Sequence, residues 1–136
     1  MIRGGVGSFQ FLYGNNIEMN SLLQAAGILV LLDLFWIATG GIYARALTEK
    51  IQKHALHMRY LAAIPVYLFL AYMILETTSD KQAFLYGLCI YGVYDFTTLA
   101  LFSDYDWTFA LADTLWGGCL FFLARRAIKA LHVSRT

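Results

Sequence analysis

Three aspartates stand inside otherwise apolar runs: Asp33 among Leu22–Ala38, Asp95 within Leu85–Leu101, and Asp113 between Trp107 and Ala124. A charged side chain deep in a bilayer costs about 2.5 to 3.5 kcal/mol on insertion scales, so it faces the protein interior, is paired or protonated, and marks a candidate site. Helical spacing supplies partners. Tyr91, Asp95 and Thr98 share one face at i, i+4 and i+7, with Tyr94 adjoining it. Asp33 precedes Trp36 by three residues and Asp113 precedes Trp116 by three. An indole N–H only donates, whereas tyrosine and threonine hydroxyls donate or accept, so all can satisfy a carboxyl group. Without a lysine or arginine at that depth, three acids cannot all stay charged. Either burial and like charge keep some protonated, or a cation or protonated substrate compensates. Arg45 and Arg59, near the rim, can reach inward by snorkelling, which would weaken that argument.

The elements that must position these residues are membrane helices. A chain of 136 residues that is 60% hydrophobic and 14% charged has too little polar character for an ordinary soluble domain. Four apolar stretches are read as spans, at about residues 21–43, 60–76, 83–102 and 107–124, since ~20 apolar residues cover a hydrocarbon core of ~30 Å. Between the first two, Leu47, Ile51, Ala55 and Met58 recur at three or four residues among charged neighbours, which predicts a short amphipathic helix lying at the interface. The fold class is therefore all-α: a four-helix transmembrane bundle with an interfacial helix between spans one and two. Pro65 should bend the second span near its entry, at Leu61. Gly40, Gly41, Gly87, Gly92, Gly117 and Gly118 allow close helix approach. Residues 1–20, rich in glycine and asparagine, read as a dispensable extension without a secretory signal, with Met19 a second candidate start; residues 21–136 form one domain.

Antiparallel threading sets depths. Asp33 lies ten residues before Tyr43, Asp95 seven before Phe102, and Asp113 six after Trp107. At 1.5 Å per residue these are roughly 15, 10 and 9 Å below the surface carrying the 44–58 and 103–106 connections. The acids thus form one layer, in the half of the bundle away from the termini. Basic residues flanking the spans favour cytoplasmic termini by six to four.

Other classes recede. A net charge of +1 gives no basic field for nucleic acid. Cys89 and Cys119 lack metal-ligand spacing and read as small buried hydrophobes; His54 and His57 read as a solvated face, and whether the acidic layer takes a metal stays open. No cofactor motif is present, and no nucleophile constellation or phosphate loop emerges. Tyr94-Asp95 matches the Tyr-Asp half of intramembrane aspartyl proteases, but Leu111-Ala112 precedes Asp113 where that chemistry needs Gly-x-Gly.

The run Tyr91-Gly-Val-Tyr-Asp-Phe-Thr-Thr-Leu-Ala100, followed by Trp107 and Asp113-Thr-Leu-Trp-Gly117, resembles the family of small four-span membrane proteins catalogued as domain of unknown function 2177 (DUF2177). The Asp33/Trp36 element matches too, and the resemblance covers roughly residues 22–124. Thr98 stands where the family pattern usually has asparagine, and the proline that often follows the equivalent of Trp107 is missing. The resemblance implies the architecture and these site residues and transfers no activity. The expected function is a small integral membrane protein with an acidic site, formed by Asp33, Trp36, Tyr91, Tyr94, Asp95, Thr98, Asp113 and Trp116, that binds or moves a proton, cation or small polar solute. An accessory subunit of a larger membrane assembly and a lipid-modifying enzyme are the alternatives. The expected partners are the bilayer and a second copy or complex subunit.

Overall fold

The computed structural model describes residues 17–134, and they form four helices joined by short connections. Helix α1 runs Ile17–Gln52, α2 Tyr60–Leu75, α3 Asp80–Leu101 and α4 Trp107–Ser134. No strand occurs among the described residues. Of the N-terminal extension expected at 1–20, residues 1–16 lie outside the described region.

One expected element is absent. Residues 44–52 are not a separate interfacial helix but the end of α1, whose 36 residues extend for about 54 Å at 1.5 Å per residue. No proline or glycine interrupts the chain after Gly41, and Ala44, Arg45, Ala46, Leu47, Glu49 and Lys50 are strong helix formers. The Arg45 Nε to Glu49 Oε1 pair at 3.2 Å bridges successive turns. The helix stops at Lys53, whose N–H still reaches the Glu49 carbonyl at 2.9 Å while its φ of 62° turns the chain aside. Residues 53–59 then return toward α2, held by Glu49 Oε1, which accepts the Leu56 N–H at 3.0 Å, and by Gln52, whose amide donates to His54 and Ala55 carbonyls.

Helix α2 continues through Pro65 and ends where Thr77 folds its hydroxyl back to the Ile74 carbonyl at 2.6 Å. Ser79 caps α3 by accepting the Gln82 N–H at 3.1 Å, and the Gln82 side chain reaches back to the Thr78 N–H at 2.6 Å, in the manner of a capping box. Arg125 of α4 turns inward to this corner, donating to Asp80 Oδ1 at 3.1 Å and the Thr77 carbonyl at 2.7 Å. Arg126 takes the other Asp80 oxygen at 3.1 Å. Arg125 and Arg126 are thus tied into the α2–α3 turn.

The closest pair of helices is α3 with α4, and glycine is the cause. A Cβ on Gly87 would collide with the Gly117 carbonyl, and one on Gly117 would collide with the Tyr91 ring. Gly118 makes room for Phe84 in the same way, at 2.8 Å. Gly40 and Gly41 do not mediate helix approach as expected: a Cβ on Gly40 would meet the indole of Trp36, and one on Gly41 would meet Ile37, both on α1 itself.

The apolar core occupies the end of the bundle nearer the α2–α3 turn. Ala25 and Leu29 of α1, Leu70, Ala71 and Ile74 of α2, Ala83 of α3, and Leu120, Phe121, Ala124 and Ile128 of α4 form one buried cluster. Cys89 and Cys119 are exposed, not buried. In an apolar solvent the outer face of a helix selects against charge, not for it, so small hydrophobes occur there as readily as inside.

Candidate functional site

Above the apolar core, toward the connections at 53–59 and 102–106, the three aspartates are buried: Asp33 to 8%, Asp95 to 0% and Asp113 to 8% exposure. Each accepts hydrogen bonds from other segments. Trp36 of α1 donates its indole N–H to Asp113 Oδ1 of α4 at 2.8 Å, and Trp116 of α4 donates to Asp33 Oδ1 of α1 at the same distance. The Asp-x-x-Trp elements of the two antiparallel helices are therefore exchanged. Three residues correspond to about 4.5 Å along a helix, so the carboxyl at an indole's own level belongs to the opposite helix. Between the two bonds the indoles stack, centroids 5.6 Å apart and planes at 11°. Gly40 gives the Trp36 ring its place, and Phe109 stacks on the same ring at 6.4 Å.

The remaining carboxyl oxygens meet hydroxyls. Tyr67 of α2 donates to Asp33 Oδ2 at 2.6 Å, and Tyr105 of the α3–α4 connection donates to Asp95 Oδ1 at 2.7 Å. Thr114 lies 3.4 Å from Asp95 Oδ2. The Asp95 and Asp113 carboxyls are themselves within hydrogen-bonding reach of each other. Two carboxylates in such contact repel unless a proton or cation lies between them. Among the described residues the ion pairs are Arg45–Glu49, Arg125–Asp80 and Arg126–Asp80, so no basic side chain compensates the layer. Arg45 does not snorkel into it. Every buried side-chain polar atom among the described residues has a partner.

Of the residues named from sequence, the structure brings together Asp33, Trp36, Asp95, Asp113 and Trp116. Tyr91 stands among them, with Asp33, Tyr67, Asp95 and Asp113 in electrostatic reach of its hydroxyl and its ring against Gly117. Thr98 is not brought in, and Tyr94 only in part, with Asp95 and Asp113 in electrostatic reach of its hydroxyl. Tyr94 is 65% exposed on the outer face of α3, and Thr98 donates to the Tyr94 carbonyl on its own helix at 2.7 Å. At 100° per residue, Tyr94 is rotated by about 100° from Asp95 and Thr98 by about 60°. Sequence reading missed Tyr67, Tyr105 and Thr114. Tyr105 had a signal: a five-residue connection starting seven residues beyond Asp95 keeps its tyrosine within side-chain reach of that acid.

At the mouth of this region Tyr43 donates to Asp106 Oδ2 at 2.7 Å, tying the α3–α4 connection to α1. That bond, with the Thr108 N–H on the other oxygen, holds the Asp106 carboxyl below the ordinary carboxylate range. Tyr105 is pushed up from the usual phenol range by burial first and by its bond to Asp95 second, so it remains a donor. Among the described residues no three His, Cys, Asp or Glu side chains are grouped closely enough to hold a metal ion.

Among the described residues three helices are long and apolar enough to cross a membrane, Met19–Gln52, Asp80–Leu101 and Trp107–His132, while Tyr60–Leu75 is apolar but shorter. Fold and composition define an all-α bundle of the membrane class. The chain belongs to the family of predicted membrane proteins DUF2177, whose model matches residues 19–127, as the motif resemblance implied. No curated protein and no solved structure matches the chain.

Proposed function

We propose that this is a small multi-pass integral membrane protein whose buried acidic layer binds a proton, a cation or a small polar cationic solute and passes it across part of the bilayer. The observation that carries the reading is the contact between the Asp95 and Asp113 carboxyls in a layer without a basic partner. Such a pair is satisfied by a positively charged visitor. The 16 residues of α2 rise about 24 Å, so this helix crosses a thinned or snorkelled region as the fourth span. On this reading both termini share one face, taken as cytoplasmic from the flanking basic residues. The test is ion or proton flux into liposomes containing the full chain. Flux above protein-free vesicles that falls at least tenfold in Asp95→Asn supports the reading, and equal flux in the two overturns it.

A second reading has its own observation. Each bond into Asp33 and Asp113 comes from a different helix, which is also how polar side chains join membrane helices in a purely structural role. An accessory subunit would use the network as internal glue and its apolar exterior against partners. Purification in mild detergent separates the two: a co-purifying membrane protein with no flux favours the subunit.

A further inference from the structure

The segment between α1 and α2 carries a feature that the acidic layer does not use. Past Tyr43, which marks the level of the α3–α4 connection, α1 continues for nine residues, about 13 Å of helix. The chain then comes back along residues 53–59 to start α2 at Tyr60. Within those seven residues only Leu56 is turned inward, and Lys53, His54, Ala55, His57, Met58 and Arg59 are all exposed. Lys50 is exposed on the last turn of α1.

This presentation is built. Glu49 holds the Leu56 N–H, Gln52 holds the carbonyls of His54 and Ala55, and Lys53 supplies the left-handed turn. The single acid of the stretch, Glu49, is consumed by Leu56 and Arg45. Lys50, Lys53 and Arg59 therefore present positive charge that no acid in this segment offsets. The basic run descends into apolar exposure, with Met58 at 57%, Tyr60 at 75% and Leu61 at 81%. Cations above exposed apolar side chains match a surface that is anionic outside and hydrocarbon beneath.

We propose that Lys50, Lys53 and Arg59 form a docking surface for anionic phospholipid headgroups in the leaflet opposite the termini, with Met58, Tyr60 and Leu61 seated among the acyl chains. Anionic lipids attract juxtamembrane basic residues by about 1 kcal/mol each where the headgroups come within roughly a Debye length. Opposite charge selects the lipid, and the held loop fixes where it sits.

The experiment uses the full chain in nanodiscs or mild detergent, with phosphatidylglycerol against phosphatidylcholine as probes and bound lipid counted by native mass spectrometry. Wild type retains phosphatidylglycerol preferentially. In Lys50→Gln/Lys53→Gln/Arg59→Gln the preference drops by at least tenfold, roughly fivefold being expected for each cation removed. Lys50→Arg/Lys53→Arg keeps it, which separates charge from misfolding. Lys81→Gln/Lys129→Gln, at the opposite end, leaves it within twofold. An unchanged preference in the triple variant overturns the proposal, and so does an equal loss in the distal pair. Full competition by inorganic phosphate would also overturn it, since the site would then take a free anion and not a lipid.

Discussion

Each indole–carboxyl bond at the α1–α4 crossing is the sole hydrogen bond an indole can make, and it ends on a carboxyl oxygen buried from solvent. Replacing Trp116 by Phe keeps an aromatic surface against Trp36 but strips Asp33 of one donor, leaving Tyr67 as the other. Leaving a buried polar group unsatisfied costs about 1–3 kcal/mol, so Trp116→Phe should lower the thermal midpoint measurably in detergent. Trp36→Phe should do the same at Asp113. Because the rings also stack, the double variant should lose less than the sum of the two, and additivity in a double-mutant cycle would contradict the coupling. The sequence displayed both Asp-x-x-Trp elements with their periodicity. Their exchange was not legible, because same-helix spacing says nothing about which carboxyl an antiparallel neighbour places at the indole's level. Tyr94 and Thr98 were chosen by adjacency and by spacing from Asp95, and only the rotation of α3 against α4, set by Gly87 and Gly117, decides which flank is buried.

At the level of elements, the α3–α4 hairpin rests on backbone contact that tolerates no Cβ. Gly87→Ala pushes a methyl group into the Gly117 carbonyl, so the helices must separate, a strain of about 1–3 kcal/mol. Gly27→Ala on α1 meets nothing within 4 Å and should gain roughly 0.5–1 kcal/mol from helix propensity alone. Comparing the two by thermal unfolding isolates packing from propensity; equal effects would refute the close approach. The connection above this hairpin responds to pH through Asp106. Its carboxyl titrates lower in the folded state, so its stabilising contribution is complete above the ordinary aspartate value near pH 4 and is lost as pH falls through the lower folded value. Tyr43→Phe should raise the Asp106 titration midpoint, read by isotope-edited infrared spectroscopy of the carboxyl band, and an unmoved midpoint would exclude Tyr43 as the cause. The long α1 shows why one element was misread. Amphipathic spacing identifies a helix but not a new one, and without proline or a left-handed residue before Lys53 the first helix had no reason to stop at Tyr43.

Across the whole molecule the two ends differ in kind. Near the α2–α3 turn, apolar side chains from all four helices make the core, and Arg125 locks the corner through Asp80 and Thr77. Toward the other end the helices are joined chiefly by carboxyls and their donors, while Leu34, Phe35, Ile37, Ile64, Val66 and Val93 are exposed. One variant separates the two proposed roles of that network. In Asp95→Asn the amide oxygen still accepts from Tyr105 or Thr114, and the amide N–H can donate to Asp113, so the contact between the two side chains no longer calls for a proton or cation. The expected result is a thermal midpoint equal to or above wild type, with about 1 kcal/mol gained at most. Asp95→Leu, which leaves Tyr105 and Thr114 without their acceptor, should lose about 1–3 kcal/mol. If the acidic layer serves a positively charged visitor, Asp95→Asn is stable and loses its flux. If the layer is glue, no flux exists to lose and the stable Asn variant keeps any partner that wild type retains. A strongly destabilised Asp95→Asn would contradict both, because it would mean that the two carboxyls do not touch.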